Sequence, residues 1–156
     1  MQFHFRPLQW HDLNAIWTWQ YDSPYARYNG TNLGFWPYVQ HHLRLKWMGY
    51  ECFAVEDEQR FLVGYFTFTK HARRTVEIGL ALRPDLTGRG YGLAFVEAGL
   101  AFGKQRYSAK RFLLTVADFN RRAMKVYTRA GFQMVKPITK QTAQGPALFY
   151  EMQRNA

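Results

Sequence analysis

Residues 80–93 read LALRPDLTGRGYGL, in which the end of an apolar strand is followed by a glycine-rich turn and an apolar helical pattern. Gly88, Gly90 and Gly92 lack side chains, so the backbone of this turn can bend tightly and approach a ligand closely. The hydrophobic spacing predicts a helix over about 89–105, whose first N–H groups and positive dipole end would face an anion. Ordinary turns use the same residues, so the segment has the features of a pyrophosphate-binding turn without proving one.

The composition is that of a globular protein. The chain has 156 residues, of which 47% are hydrophobic and 21% charged, so we expect one domain over residues 1–156 with a substantial core. No apolar run approaches the roughly 20 residues of a membrane span, and the first residues do not have the apolar block of a signal peptide. The single cysteine, Cys52, excludes an internal disulfide framework. We therefore expect a cytoplasmic protein that does not bind membranes.

The formal net charge of +10 has three candidate explanations: a cationic solvated surface, a phosphate-bearing cofactor, or nucleic acid. The basic residues are dispersed along the chain and form no run of five or six like charges. Nucleic acid is the least favoured of the three.

The hydrophobic spacing predicts strands and helices in a mixed order, without internal repeats. The predicted strands cover residues 2–6, 50–56, 61–69, 74–82, 111–117, 132–137 and 147–153. One helix is predicted to begin at Asp12. Three others are predicted over 35–47, about 89–105 and 120–130, the last of them ended by Gly131. The chain is thus predicted to form a largely antiparallel sheet followed by a strand–helix–strand–helix section, with the loop TKQTAQGP (139–146) before the last strand.

The stretch LTVADFNRRAMKVYTRAGF, residues 114–132, carries a second group of candidate residues. Asn120 is a good helix N-cap. Tyr127 follows seven residues later and so lies almost on the same line of the helix, beside the small side chains of Ala123 and Ala130. Either residue alone is more often structural than functional, but both follow a phosphate-type turn, which favours a functional interpretation.

These residues resemble the GNAT superfamily of acyl-CoA-dependent N-acyltransferases over about residues 50–135. The family's pyrophosphate motif, Gln/Arg-x-x-Gly-x-Gly/Ala, is similar to the segment Thr87–Gly92, in which both glycines match but Thr87 replaces the Gln or Arg. The family's second motif is Asn-x-x-Ala-x-x-x-Tyr-x-x-x-Gly-Phe, and it is matched by Asn120, Ala123, Tyr127, Gly131 and Phe132.

The resemblance implies a mixed α/β (α+β) fold, with a mostly antiparallel sheet of about six to seven strands, splayed at the cofactor site, and about four helices. It also implies that acetyl-CoA is the acyl donor and that no metal is needed. The residues expected to bind the cofactor are Leu80, Ala81, Leu82, Gly88, Arg89, Gly90, Tyr91, Gly92, Leu93 and Asn120. The N–H of Leu80 would polarise the thioester carbonyl, and Arg83, Arg89, Arg121 and Arg122 are candidates for contacts with the phosphates.

By the same resemblance, Tyr127 is the acid that protonates the departing thiolate. Glu77 is the candidate base, because it shares a strand face with the small residues Gly79 and Ala81, where a substrate can approach. Its alternative role is a solvated carboxylate or an ion pair with Arg73 or Arg74.

Other candidate residues are weaker. Cys52 has no histidine near it in sequence, so it is expected to be a small core residue rather than an acyl-accepting nucleophile. His41 and His42 are not expected to bind a metal. All five tryptophans fall within the first fifty residues, where they would form either core or one wall of an amine pocket.

The favoured function is an N-acetyltransferase that acts on a primary amine of a small molecule. The alternatives are a protein N-terminal or ribosomal-protein acetyltransferase, and a non-catalytic module that binds CoA or nucleic acid. The expected partners are acetyl-CoA and an amine, and a homodimer is left open.

Overall fold

The computed structural model describes residues 1–30, 49–142 and 144–156. Its strands are β1 (His4–Pro7), β2 (Tyr50–Glu56), β3 (Leu62–His71), β4 (Thr75–Leu82), β5 (Arg111–Ala117), β6 (Gln133–Thr142) and β7 (Gly145–Asn155). They form one sheet in the order β1-β2-β3-β4-β5-β7-β6. The β4–β5 pair is parallel, and the β1–β2, β2–β3, β5–β7 and β6–β7 pairs are antiparallel. The predicted mixed α/β fold with a mostly antiparallel sheet is confirmed.

The α-helices in the described ranges are α1 (Trp10–Trp17), α2 (Gly92–Tyr107) and α3 (Arg121–Arg129). Short 3-10 turns occupy Tyr25–Tyr28, Ala72–Arg74 and Pro84–Leu86. The described helices thus number three rather than about four, and the helix predicted over 35–47 lies outside the described residues. None of the helices in the described ranges is long and apolar enough to cross a membrane.

The chain divides into two compact units, the first of which comprises Met1–Thr69 and Leu80–Tyr91. Aromatic and β-branched residues of β2 and β3 form its centre, where Phe66 stacks on Phe68 with ring centroids 5.7 Å apart. A second cluster joins Leu13, Ile16 and Trp19, at the spacing of an amphipathic helix and the residues that follow it.

An ion-pair network holds α1 against the first two strands of this unit. The guanidinium of Arg6 donates to both oxygens of Asp12, at 2.6 and 2.7 Å, and to Glu56 at 2.6 Å. Asp12 also accepts from the N–H of Gln9 at 2.8 Å, which satisfies a free donor at the start of α1. The sequence predicted a helix start at Asp12. These contacts explain why the helix instead begins at Trp10.

The second unit comprises Lys70–Gly79 and Gly92–Ala156. Its large buried side chains include Val76 and Ile78 of β4, Phe95, Val96 and Leu100 of α2, Phe112 and Leu114 of β5, Phe132, and Met152 of β7. The parallel register of β4 and β5 runs from Thr75↔Arg111 to Glu77↔Leu113, and β5 then pairs with β7 along its whole length, from Arg111 to Ala117.

Two further predicted boundaries were wrong. The helix predicted over 89–105 covers Gly92–Tyr107 instead, because Gly88 and Gly90 have φ angles of 75° and 87°, which a right-handed helix excludes. The loop predicted over 139–146 is largely strand, because β6 and β7 pair as far as Thr142↔Gly145. Local polarity concealed this hairpin, which is stabilised by pairing rather than by side-chain burial.

Candidate functional site

The segment between β4 and α2 begins with a well-anchored turn. The N–H of Arg83 donates to the carbonyl of Val63 at 2.7 Å, and Leu86 is buried. Thr87, which stands where the family motif has Gln or Arg, uses its hydroxyl to donate to the carbonyl of Pro84 at 2.7 Å. The side chain of Thr87 is therefore part of the turn's own hydrogen bonding.

Gly88 and Gly90 follow this anchor and are both exposed. At their φ angles a residue with a side chain is strained. A Cβ built at either position would meet no other heavy atom of the described chain within 4 Å. The glycines are therefore required by backbone conformation rather than by internal packing, and the space beside them is open to a ligand.

Gly92 has a different role from the two preceding glycines. A Cβ placed there would lie 3.2 Å from Cγ2 of Val126 on α3, which is closer than ordinary van der Waals contact. Gly92 thus allows the first turn of α2 to pack closely against α3, a structural reason for glycine that the sequence pattern did not reveal.

The end of β4 has one backbone edge turned away from β3. Arg83 directs its N–H toward β3, and strand alternation therefore places the N–H and carbonyl of Leu80 and Leu82 on the opposite edge. Tyr21 donates its hydroxyl to the carbonyl of Leu82 at 2.9 Å. The same alternation directs the backbone N–H and carbonyl of Ala81 toward β3. The side chain of Ala81 packs against the cluster of Leu13, Ile16 and Trp19.

The arginines near the turn differ in how they are already paired. Arg83 donates to both carboxylate oxygens of Asp85, at 2.7 and 3.1 Å, and to the carbonyl of Leu62 at 2.9 Å. The hydrogen bond with Asp85 raises the pKa of Arg83, and Arg83 in turn lowers the pKa of Asp85. Arg121 donates to Asp118 at 3.2 Å. Arg89 lies exposed on the glycine turn itself, so it is the best placed of the candidates to meet an anion there.

Asn120 caps α3 as predicted. Its side-chain oxygen accepts from the N–H of Ala123 at 3.1 Å. Tyr127 is half-buried on this helix, and its ring contacts Phe132 edge to face, with centroids 6.1 Å apart. Gly131 ends the helix with a φ of 83°. The second motif thus forms a compact unit in which the cap and the chain reversal hold the tyrosine in place.

Glu77 lies in the second unit, and its partner differs from the predicted ones. Its Oε2 is 2.9 Å from Nε2 of His71. The predicted alternative of an ion pair with Arg73 or Arg74 was wrong for Arg74, because this guanidinium donates to the carbonyl of Ser108 at 2.7 Å. The sequence pattern did not point to His71, since only the tight turn at Ala72–Arg74 brings it beside Glu77.

The N-terminal aromatics have mixed environments. Trp19 is buried and stacks on Tyr65, with centroids 6.3 Å apart, whereas Trp10 is 61% exposed. Burial raises the pKa of Tyr65 to about 12, with a further contribution from Cys52. Cys52 is half-buried, so the expected core position is only partly realised.

Some candidate residues lie outside the described ranges, namely Trp36, Trp47, His41 and His42. Within residues 1–30, 49–142 and 144–156, no group of three or more His, Cys, Asp or Glu could hold a metal ion.

An open cavity of about 510 Å³ lies at the C-terminal end of α3. Its lining includes Glu97, Arg129, Gly131 and Arg154. Arg154 donates to the carbonyl of Ala130, so this arginine serves the free carbonyls of the helix end. None of the predicted catalytic or cofactor-binding residues lines this cavity.

Comparisons with known proteins agree with the geometry. The family model described as an acetyltransferase (GNAT) domain matches residues 2–133. No curated protein matches the chain significantly.

Two solved structures illustrate the structural similarity. The aminoglycoside acetyltransferase AAC(6')-Ib in complex with coenzyme A has a TM-score of 0.78 at 18% identity, over 99% of this chain and 95% of that one. The spermidine N-acetyltransferase of Vibrio cholerae in complex with CoA and spermine has a TM-score of 0.71 at 18% identity, over 99% and 95% of the chains.

The fold and the match over residues 2–133 define the class of this protein. The chain belongs to the acetyltransferase (GNAT) domain family, and the resemblance noted from the two motifs is confirmed.

Proposed function

We propose that this protein is an N-acetyltransferase that transfers the acetyl group of acetyl-CoA directly to a primary amine of a small molecule. The observation that carries the proposal is the turn at Gly88–Gly90, with its left-handed glycines and open flanking space. Family membership and the CoA named in the neighbouring structures support it.

The residues present fit this donor. Backbone N–H groups of Gly88, Arg89, Gly90, Tyr91, Gly92 and Leu93 would hold the pyrophosphate. Two helical features favour an anion there, the free N–H groups and the dipole of α2. The exposed guanidinium of Arg89 adds a charge-assisted donor. On β4, the edge turned away from β3 offers the backbone of Leu80 and Leu82 to an extended arm, although Tyr21 already occupies the carbonyl of Leu82.

Acetyl-CoA supplies an activated acyl group, and the protein moves protons and stabilises charge. The neutral amine attacks the thioester carbonyl with its lone pair, and Glu77 takes the proton that the nitrogen loses as the C–N bond forms. Leu80 donates its N–H to the thioester carbonyl oxygen as negative charge develops there. Tyr127 gives its hydroxyl proton to the departing sulfur and is reprotonated from solvent. The proton lost by the amine equals the one gained by the sulfur.

The charge distribution of the chain bears on which class of amine accepts the acetyl group. Residues 23–50 contain no Asp or Glu, and the chain carries a net charge of +10. A polycationic acceptor, such as the spermine bound in one neighbouring structure or the aminoglycosides for which the other enzyme is named, would find little electrostatic attraction to this aromatic-rich segment. We therefore expect a compact monoamine with an apolar or aromatic body.

The test begins with binding. Acetyl-CoA should raise the melting temperature of the protein by mass action. CoA release is then followed with a panel that contains aromatic and aliphatic monoamines, spermidine, an aminoglycoside and an N-terminal peptide. Turnover of the monoamines is the expected result. Preferential turnover of the peptide would favour the protein acetyltransferase instead.

Tyr127→Phe provides the mechanistic test. It should lower kcat by about 100-fold, the lower range for loss of a general acid, with acetyl-CoA binding unchanged. Tyr150→Phe is the matched control, because it removes the same hydroxyl from a half-buried tyrosine on β7. Strong salt-sensitive DNA binding that ignores CoA would contradict the transferase proposal.

A further inference from the structure

His71 and Glu77 form a side-chain pair of the second unit that the sequence pattern did not anticipate. β3 ends at His71, the turn Ala72–Arg74 reverses the chain, and β4 carries Glu77 six residues later. Arg73 and Arg74 have φ angles of 57° and 56°, a left-handed conformation that makes the reversal tight enough for the two side chains to meet.

The contact has the geometry of a hydrogen bond. Nε2 of His71 lies 2.9 Å from Oε2 of Glu77. The side chain of His71 is 45% exposed and that of Glu77 is 30% exposed. Glu77 is thus the more enclosed of the two side chains, and His71 reaches solvent.

The type of side chain beside Glu77 matters for the proposed role of Glu77 as a base. An arginine beside a carboxylate keeps its protons at all ordinary pH values and cannot accept another. A histidine exchanges protons near neutral pH, and it has two ring nitrogens. Arg74 donates its Nε–H to the carbonyl of Ser108, whereas the carboxylate of Glu77 contacts His71, a partner that can carry a proton away.

Building on the proposed function, we propose that His71 is a positioning residue of the transfer reaction that acts through Glu77 as a proton relay. Glu77 receives the amine proton, the imidazole tautomer of His71 whose Nε2 is unprotonated takes that proton from the carboxyl, and the N–H at Nδ1 releases one proton to solvent. One N–H bond of the amine breaks, one proton reaches water, and Glu77 returns to its carboxylate form for the next turnover.

The first test uses His71→Ala and exogenous imidazole. We expect kcat to fall about 10- to 100-fold, with KM for acetyl-CoA unchanged, and imidazole to restore kcat several-fold. The same imidazole should not restore Glu77→Gln, because the group that receives the amine proton is missing there. Failure of imidazole to restore His71→Ala would overturn the relay.

The second test separates a relay from a structural role. His71→Gln keeps a hydrogen-bond donor beside Glu77 but cannot carry the proton onward. We expect it to be as impaired as His71→Ala, and wild-type activity in His71→Gln would overturn the proposal. His11→Ala is the matched control, because His11 lies 3.4 Å from the carboxylate of Asp12 and has no part in the proposed chemistry.

The outcome for the wild type distinguishes the two levels of the proposal. If the wild type binds acetyl-CoA but acetylates no amine, the proposed function fails and the relay fails with it. If the wild type is active and both His71 variants match it, the relay alone is refuted and the transferase stands.

Discussion

Gly90→Ala tests whether the turn before α2 binds the acyl donor. Gly90 has a φ of 87° and open space around its Cβ position. Alanine in a left-handed conformation costs about 1 to 2 kcal/mol. Because the turn is exposed, the variant can relax to a negative φ when free and must recover the strained angle to bind. The strain should therefore appear as a loss of acetyl-CoA affinity of about 5- to 30-fold.

Gly145→Ala is the matched control for this variant. Gly145 has a φ of 99° and equally open surroundings, but it lies in the β6–β7 turn, where Thr142 donates its hydroxyl to the carbonyl of Gly145 at 2.7 Å. Paired strands on both sides prevent relaxation, so the same strain should lower the free energy of unfolding by about 1 to 2 kcal/mol and leave binding unchanged.

Isothermal titration with acetyl-CoA and urea unfolding measure the two effects in each variant. The expected result is a crossed pattern, with binding lost in Gly90→Ala and stability lost in Gly145→Ala. A folded Gly90→Ala protein with wild-type affinity would refute the assignment of the turn, as would an equal affinity loss in both variants.

Two stability predictions concern contacts within the fold. Asp12→Asn should cost about 3 kcal/mol in urea unfolding, the low end for a broken buried ion pair, because Arg6 is partly exposed and keeps Glu56. Burial acts to raise the pKa of Asp12, but hydrogen bonds from Arg6 and Gln9 outweigh it and lower the pKa. The stabilisation from the Arg6–Asp12 pair is thus complete above the ordinary pKa of aspartate, near pH 4. It is lost as the pH falls through the lowered pKa of Asp12. Asp12→Asn should flatten the stability profile in that acid range, and an unchanged slope would contradict this account. Gly92→Ala should lower the free energy of unfolding by about 1 kcal/mol through overpacking, because its Cβ would lie 3.2 Å from Cγ2 of Val126. Adding Val126→Ala to this variant should restore the lost stability. If the effects of the two substitutions are merely additive, the two sites do not interact.

The elements predicted most accurately are those whose signals are local. β2 and β5 have the predicted bounds, Tyr50–Glu56 and Arg111–Ala117, because β-branched and aromatic residues are concentrated there and turn residues flank them. The cap at Asn120 also depends on a contact only three residues away. Such features are encoded within a few neighbouring positions.

The features that were missed depend on residues distant in sequence. The β6–β7 hairpin extends through a polar stretch because backbone pairing, rather than burial, holds it. Gly92 resembled a third member of the glycine turn, but its requirement comes from Val126, more than thirty residues later. No local pattern contains that information.

The sequence by itself determined the family, the glycine turn and the capped helix that carries Tyr127, since short motifs encode backbone conformations and reactive groups directly. Only the tertiary structure decided what surrounds those groups. It separated Gly88 and Gly90, which leave open space, from Gly92, which packs, and it gave Glu77 a histidine partner in place of an arginine. The physical reason is that a side chain's partner depends on how turns and strands bring the chain together, as the left-handed turn at Arg73 and Arg74 brings His71 to Glu77.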